Sequence, residues 1–491
     1  MNNETGDETN NETGDETGDE TSDETSSQGP LPAHAAPLWR WPALCRALGV
    51  AAVDGPDVSG ISIDTRSLRA GDLFVALSGD PGPRFNTAAR SSRDGHDFLA
   101  AAAQGGAAGA LVDRARMSGS GPPHRLPCLG VADTLDGLWA LGRAGRARSA
   151  ARVVAVTGSS GKTTLKTLLM NALGAAGSAG SFNNHLGVPL TLARLPQDAP
   201  TAVVEIGTYH PGEIAPLAAM VAPHIAVVLN VLPAHIGNFA DIAALRAEKL
   251  SITAGLPLAG TLILPAELAT HVRWPGRCIT FGEATGDVQV HSDGATARLR
   301  YGGDEWAVTV PGGGAHRGLS CAAACAVAVA LGVPMAPFVA RLGTTELPVG
   351  RGNRMAIGGV VIVDDSYNAN PVSMGFALRT LAAQPAQRRI ALLGDILELG
   401  DQERALHAGL DSACIGMDAV ICVGPRMASL YERLPERQRA GYFSDPERFD
   451  PEAFAAQLAT GDTVLVKGSN MIFWARDIVP RLMAALTKRL T

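Results

Sequence analysis

Apolar residues along this chain fall into short runs separated by polar, Gly-rich turns, and the character of the runs changes along its length. No aliphatic or aromatic residue lies between Met1 and Leu31. From about residue 38 to 149, ISIDTRSLRAGDLFVAL reads as two short alternating strands around a polar turn. DGHDFLAAAAQGGAAGALV then reads as a helix leading into a strand, so this stretch is a small α/β module. The basic, Gly-broken helix end LGRAGRARSA, residues 141 to 150, marks its boundary. A second segment opens with the strand Arg152 to Thr157 and alternates strands with helices. Its runs TAVVEIG and PHIAVVLNV are β-branched in the manner of a parallel sheet covered on both faces. The third begins near Glu346 and gives GGVVIVDDSY, RRIALLGD, DAVICVG and DTVLVKGS, each a strand followed by helix-like sequence, which describes a second doubly wound sheet. The fold class is α/β. The expected units are a tail over residues 1–30, an N-terminal unit over 31–149, a central unit over 150–345 and a C-terminal unit over 346–491.

One stretch resembles a membrane span in length: Leu319 to Ala340 runs 22 residues without a charge. It is mostly alanine, and GVPMAP ends a helix rather than continuing it, so a buried soluble helix ending near Leu331 is expected and no membrane insertion.

Composition agrees with about three domains for 491 residues. Residues 2 to 25 are six tetrads of the NNET, GDET and SDET kind, too polar to offset their own ordering entropy, and are expected to be disordered. Their lack of basic and apolar residues is the opposite of a signal peptide. The first 30 residues hold ten of the 48 acids and no Lys or Arg. The net charge of -7 therefore belongs to the tail, and the remainder, with 41 basic against 38 acidic residues, is near neutral. That balance argues against nucleic acid as the partner, since phosphate backbones require clustered cations. The seven cysteines are scattered, without a CxxC pair, as reduced thiols in cytoplasm would be. Cys321 and Cys325 share a helix face without a His or acid at matching spacing and read as core residues. No partner surface stands out, and a monomer is expected.

The most informative string is VVAVTGSSGKTTLKTLLMNAL: an apolar strand, a Gly-containing turn, a lysine with two hydroxyls, then a helix, which is the context a P-loop requires. Gly158 and Gly161 let backbone N–H groups, with those of Ser159 and Ser160, approach phosphate oxygens. The helix start at Thr163 and Thr164 adds a positive dipole end, Lys162 reaches the β/γ-phosphates, and the Thr163 hydroxyl can hold Mg²⁺. The turn is shorter than G-x-x-x-x-G-K-[ST], because Val156 stands where that pattern has glycine. ATP binding follows, but GTPase switches, kinases, transport ATPases and ATP-driven ligases all share it. Glu205, ending the strand TAVVEIG beside the loop, is placed to hold Mg²⁺. His235 follows the strand PHIAVVLNV at the same edge, and Lys249 lies fourteen residues on in the helical run DIAALRAEKLSI.

In order along the chain, TGSSGKTT, SFNNHLGVPLTL, VVEIGTYHPGEI, NVLPAHIGNF, PVGRGNR, VDDSYNANP, LLGDILELG and VLVKGS resemble the motifs of the Mur ligases of peptidoglycan synthesis, over roughly residues 59 to 475. SIDTRSLRAGDLFVAL with DGHDF, and DDSYNANP with LGDILELG, are similar to those of the member acting on UDP-N-acetylmuramoyl-tripeptide and D-Ala-D-Ala. The resemblance implies a UDP-sugar-binding N-terminal domain, a central ATPase domain and a C-terminal Rossmann-like domain. It also implies a two-step reaction. ATP phosphorylates the tripeptide carboxylate, and the D-Ala-D-Ala amine then displaces phosphate, with Mg²⁺ and lysine stabilising the negative charge that develops.

By the same resemblance, Thr163 and Glu205 hold one Mg²⁺ and His235 helps hold a second, supported by Lys249 as a carbamate formed with CO₂. The sequence RAEKLSI departs from the family's Lys-x-Glu around that lysine. Lys162, His235 and Lys249 are the implied catalytic residues. Arg351 is implied at the ATP phosphates and Asp365 at the ribose hydroxyls, with Tyr367 and Asn368 near the adenine or the hinge. Asn183 and Asn184 are implied at the sugar-peptide and phosphate region, Thr65, Arg66 and the run Gly71 to Phe74 at the uridine side, and Lys467 and Ser469 at the dipeptide side. The chain departs from the family at Arg317 and Ser320 in GAHRGLS, at Tyr209, at Asn470, and in a long stretch before DGHDF. Two other readings stay open: a superfamily ligase using another amino acid, and a P-loop NTPase that joins nothing. Loss of catalysis in a nucleotide-sugar-binding paralogue is a third.

Overall fold

The computed structural model describes residues 37–79, 93–117 and 126–490, so the acidic repeats and most of the long stretch before DGHDF lie outside the described residues. Three sheets follow one another along the chain. The first contains β1 (Gly60–Ser62), β2 (Asp72–Val75), β3 (Gly109–Asp113) and β4 (Cys128–Val131), in that order and parallel throughout. The sequence reading of β1 and β2 as alternating strands around a turn is corrected here. They pair in parallel, Gly60 opposite Asp72, and all four residues of β2 are buried because both faces of this sheet are covered.

The second sheet has nine strands: β5 (Arg152–Thr157), β6 (Ala176–Gly177), β7 (Thr201–Glu205), β8 (Ile225–Val228), β9 (Thr261–Pro265), β10 (Arg277–Gly282), β11 (Val288–Ser292), β12 (Thr296–Tyr301) and β13 (Asp304–Thr309). Their order is β13-β12-β11-β10-β9-β8-β5-β7-β6. Along β5, Val154 and Val156 enter one core and Val153 and Ala155 the other, which is why this strand is an unbroken apolar run. The parallel reading holds from β6 through β11. Beyond that, β11, β12 and β13 pair antiparallel. The tight turn between β12 and β13 is Gly302-Gly303, with φ of 60° and 96°, values suited to a two-residue hairpin turn.

The helix Ala315–Leu331 closes on the sheet that the hairpin extends. Its alanines and cysteines are buried against Val288, Val290, Ala297, Leu299 and Val308, and it ends at Gly332 with φ of 71°. Among the described residues no helix is long and apolar enough to cross a membrane. All seven cysteines are free, and burial pushes the Cys321 thiol up to about 12.

The third sheet contains β14 (Asn353–Ile357), β15 (Val360–Asp364), β16 (Arg388–Gly394), β17 (Ala419–Val423), β18 (Arg439–Phe443) and β19 (Asp462–Lys467), in the order β14-β15-β19-β16-β17-β18. Only β14 is antiparallel to its neighbour.

Two junctions hold these layers together. The helix Thr134–Arg148 runs without a break through the glycines that the sequence suggested as its fraying end. Gly142 and Gly145 instead permit close packing on the helix Gly187–Ala193, since a Cβ on Gly142 would lie 2.8 Å from the Pro189 Cα. At the other junction, Ile236 and Phe239, which follow β8, are buried in the same apolar cluster as Met374, Leu378, Ile396 and Leu399 of the C-terminal sheet and its helices. Emptying that seam by Phe239→Ala is expected to cost about 3 kcal/mol, the usual range for a buried phenyl. The loss should appear as an earlier first thermal transition and faster proteolysis near residues 345–352. An unchanged melting profile would contradict a docked seam.

Candidate active site

The carboxyl ends of β5, β7 and β8 meet beneath the loop Gly158–Gly161. Gly158 and Gly161 have φ of 155° and 79°, and a Cβ on Gly161 would stand 2.9 Å from Leu229, so the loop needs glycine on both counts. Asn230, which follows β8, gives the loop its shape. Its Oδ1 accepts from the backbone N–H groups of Ser159 and Ser160 at 3.0 Å each, and its Nδ2 donates to the Ser160 carbonyl. The helix Lys162–Leu173 begins directly after the loop, with the Lys162 ammonium donating to the Gly158 carbonyl at 2.9 Å.

Glu205 at the end of β7 is 1% exposed. Its Oε2 accepts from the Thr163 hydroxyl at 2.9 Å and lies 3.3 Å from the Lys166 ammonium. Its Oε1 accepts from Asn183 Nδ2 at 2.8 Å and from Ser181 at 3.2 Å. Burial works to raise the pKa of this carboxyl. The charges of Lys166, Lys162 and Arg351, with the Asn183 bond, outweigh it and leave the group at about 2. Lys166, itself buried, also donates to the Ser178 hydroxyl and the Gly180 carbonyl.

These residues line a cleft of about 1420 Å³ that includes its open mouth. Of the residues that the sequence singled out, Ser159, Ser160, Gly161, Lys162, Thr163, Thr164, Asn183, Asn184, Glu205, His235, Arg351, Asp365, Tyr367 and Asn368 line it. The Asn184 side chain is already engaged, accepting from Leu186 and Gly187 N–H at the start of the helix Gly187–Ala193. Arg351 lies 4.0 Å over the Tyr367 ring, which meets Trp474 edge-on. The three departures Tyr209, Arg317 and Ser320 also face the cleft. Arg317 is tied by hydrogen bonds to the carbonyls of Gly312, Gly313 and Arg351. His316 stacks on Phe376, and burial holds its imidazole down at about 3, hence neutral, with Nδ1 lacking a partner.

A second, smaller cavity continues from the cleft through the shared residues Ser159, Tyr209, His235 and Asn368 and carries Ser469 and Asn470 on its far wall. Lys467 is on neither wall. It is buried, with its ammonium 2.8 Å from Asp365 and 3.0 Å from the Asn368 carbonyl. Thr65 and Arg66 are likewise absent from the cleft. Arg66 pairs with Asp64 at 2.7 Å, and of their neighbours only Ile63 reaches the cleft wall. In the run from Gly71, Phe74 is 1% exposed and packs in the core.

Lys249 lies behind this surface in the helix Ile242–Leu250 and is 2% exposed. Its amine makes no hydrogen bond or ion pair among the described residues. Burial and the nearby Lys162 charge hold its pKa well below the usual lysine value despite Glu248 and Glu213. The Glu248 carboxylate faces elsewhere, accepting from Gly212 and Ile214 N–H. His235 has φ of 54°; its Nδ1 bonds the Glu398 carboxylate and its ring lies 4.7 Å from that of Tyr209.

Sequence reasoning passed over Asn230, Lys166, Ser181 and Glu398. Asn230 and Glu398 stood inside quoted motifs, and Lys166 follows the loop on its own helix. Their roles depend on contacts across 12 to 163 residues, which spacing does not reveal.

Oxygen donors of the Thr163 and Glu205 kind suit a hard divalent cation, and the Lys166 and Asn183 bonds fix the carboxylate that would supply one. Near His235, no group of three His, Cys, Asp or Glu able to hold a metal forms among the described residues.

The Mur ligase middle domain matches residues 156–328, and the Mur ligase glutamate ligase domain matches residues 350–470. A Synechocystis UDP-N-acetylmuramoyl-tripeptide--D-alanyl-D-alanine ligase is 33% identical, over 84% of this chain and 90% of its own length. The Escherichia coli protein of the same name is 34% identical, over 76% and 83% respectively. Among solved structures, MurF from Acinetobacter baumannii superposes with a TM-score of 0.76 at 28% identity, covering 91% of this chain and 99% of that one. MurF from Thermotoga maritima in complex with ADP superposes with a TM-score of 0.71 at 26% identity, covering 88% and 98%.

Replacing Lys166 by Met leaves Glu205 buried without its nearest counter-charge. The expected cost is about 3 kcal/mol in equilibrium denaturation, with a rise of the Glu205 pKa from about 2. In the parent chain the stability tied to Glu205 is complete above about pH 4.5 and fades as the pH falls toward 2; in the variant that loss begins at higher pH. A variant as stable as the parent would contradict the assigned ion pair.

Proposed function

The chain belongs to the Mur ligase family, and we propose that it joins D-alanyl-D-alanine to UDP-N-acetylmuramoyl-tripeptide with hydrolysis of ATP to ADP and phosphate. One observation carries this reading beyond nucleotide binding. The phosphate loop opens into a cleft that shares Tyr209, His235 and Asn368 with a second cavity, walled by loops of both the central and the C-terminal sheets. A switch or a simple hydrolase needs space for nucleotide and water, whereas a ligase needs two further substrates brought to one phosphate.

Both the nucleotide and the tripeptide carboxylate are anions, and the cations of the site converge where they would meet. Lys162 and Arg351 lie close enough to Glu205 to depress its pKa, whereas the Ser159 and Ser160 amides are engaged by Asn230 and would have to exchange that partner for phosphate oxygens. A terminal carboxylate oxygen attacks the γ-phosphorus, ADP leaves, and an acyl phosphate results. The dipeptide amine then forms the C–N bond, the C–O bond to phosphate breaks, and the amine's proton passes to solvent or to phosphate. Lys162 stabilises charge on the transferring phosphoryl group, and no side-chain nucleophile is required.

Thr163 and Glu205 would hold a Mg²⁺, and His235 would serve a second. When bound, these ions neutralise the phosphate charge that develops during transfer. Support for a carbamate at Lys249 comes from its buried amine, which makes no hydrogen bond or ion pair among the described residues and whose pKa burial holds well below the usual lysine value. Addition of CO₂ there would form an N–C bond, release a proton and turn the amine into a carboxylate. Asp365, tied to Lys467, would receive ribose hydroxyls, and Asn183, Asn184, Tyr367 and Asn368 would contact substrate from the cleft walls. Thr65 and Arg66 would meet the uridine end outside the cleft, and Ser469 the dipeptide. The division into units at 31–149, 150–345 and 346–491, a monomeric state and a cytoplasmic setting, where nucleotide-linked precursors and reduced thiols are found, belong to the same proposal.

The test is ADP release with UDP-muramoyl-tripeptide, with and without D-Ala-D-Ala. Sustained turnover is expected only with both, and release indifferent to the dipeptide would refute ligation. Lys162→Ala should weaken the grip on phosphate by about 2 kcal/mol, read as a roughly thirtyfold rise in the KM for ATP. Lys249→Ala should lose turnover and regain part of it with added short carboxylates. A fully active Lys249→Ala protein would rule out the carbamate.

A further inference from the structure

Four non-glycine residues among those described adopt left-handed backbone: Ala222, His235, Glu398 and Asp477. Two of them, His235 at φ 54° and Glu398 at φ 63°, touch each other, imidazole to carboxylate, across the seam between the central and C-terminal sheets. Strained non-glycine backbone persists where the surroundings over-determine it, and such positions concentrate at functional sites. The surroundings here do over-determine it. The Glu398 carbonyl accepts from Gly237 N–H at 3.3 Å, and Gly237 and Gly400 approach so closely that a Cβ on Gly237 would stand 2.7 Å from the Gly400 nitrogen. Glu398 therefore comes from the C-terminal unit but is held in place by the loop of the central unit.

Its carboxylate faces the smaller cavity, whose wall includes Tyr209, His235, Asn368, Ser469 and Asn470. Among the described residues lining it, Glu398 is the only acid and there is no Lys or Arg. The larger cleft at the phosphate end carries Lys162, Arg317 and Arg351. The two cavities share Ser159, Tyr209, His235 and Asn368 on their walls. Three cations and the carboxylates Glu205 and Asp365 line the larger one, while the one acid lining the smaller is Glu398, whose side chain is 42% exposed.

We propose that Glu398 is the anchor for the ammonium group of the incoming amino substrate, holding its nitrogen at the mouth of the phosphate cleft, where loss of one proton to solvent frees the lone pair for attack. The inference rests on the ligase reading and adds to it the residue that receives the nucleophile. Because the left-handed turn bearing Glu398 is fixed by Gly237, the anchor exists only while the two units are docked. The amine is then held only where the acyl phosphate is within reach.

Glu398→Gln keeps the shape and removes the charge. The KM for D-Ala-D-Ala should rise about tenfold or more, the equivalent of losing a charge-assisted hydrogen bond. The KM for ATP, and tripeptide-dependent ATP–ADP exchange without dipeptide, should stay unchanged. D-lactoyl-D-alanine, with a hydroxyl in place of the ammonium, should inhibit parent and variant equally. Should Glu398→Gln fail to fold, Glu398→Asn, which tolerates the left-handed backbone but is too short to reach the amine, is read in its place with the same expectation. An unchanged dipeptide KM overturns the proposal. So does a parallel loss of exchange, which would mean that Glu398 acts through His235. Absence of exchange in the parent chain would instead strike the ligase reading itself.

Discussion

Beneath the phosphate loop, a carboxylate that burial would otherwise neutralise is kept ionised by a buried lysine. Most of what the central unit does depends on that pair. The depression of Glu205 to about 2 corresponds to roughly 3 kcal/mol of preference for its charged form, large beside the net stability of a domain. It requires β7 to end at Glu205, the helix after the loop to present Lys166 on its inner face, and Thr163, Ser181 and Asn183 to satisfy the remaining oxygen positions. The result is a fixed hard-oxygen site beside a loop of backbone amides. A carboxylate free to protonate or rotate would serve neither a cation nor a phosphate at neutral pH.

The second constraint is the seam. Ile236 and Phe239 leave the central sheet to enter the core beneath the C-terminal sheet, so the loop bearing His235 is shaped by both units at once. Arg317 makes a similar link farther along the cleft, donating to the Arg351 carbonyl from the first turn of the helix Ala315–Leu331. Its guanidinium is fastened to three carbonyls. It fixes the wall of the cleft through its own bonds.

Local chemistry made much of this legible in the sequence. The strand, turn, lysine and helix of the phosphate loop are contiguous, and Glu205 was recognisable as a carboxylate at a strand end. The helix Ala315–Leu331 ended where Gly332 and Pro334 required. What stayed hidden was long-range. β1 and β2 read as alternating strands around a turn, yet they pair in parallel and β2 pairs in parallel with β3 as well. The Gly302-Gly303 signal for the antiparallel extension was present and was absorbed into an expectation of regular alternation. Lys467 was grouped by motif with Ser469, two residues away. Lys467 ends β19 and is bonded to Asp365, while Ser469 lies in the loop beyond the strand, where its hydroxyl accepts from Leu397 N–H on the wall of the smaller cavity. Glu398 and His235 lie 163 residues apart, and only the fold brings them together.

The central claim is that a carboxylate is activated by phosphoryl transfer and then captured by an amine held in the adjoining cavity. Isotopic labelling tests it most directly. With ¹⁸O in the terminal carboxylate of the UDP-muramoyl-tripeptide, each amide bond formed should transfer one ¹⁸O atom into the released phosphate, because the oxygen that attacked phosphorus departs with it. Unlabelled phosphate accompanying amide formation would contradict the account.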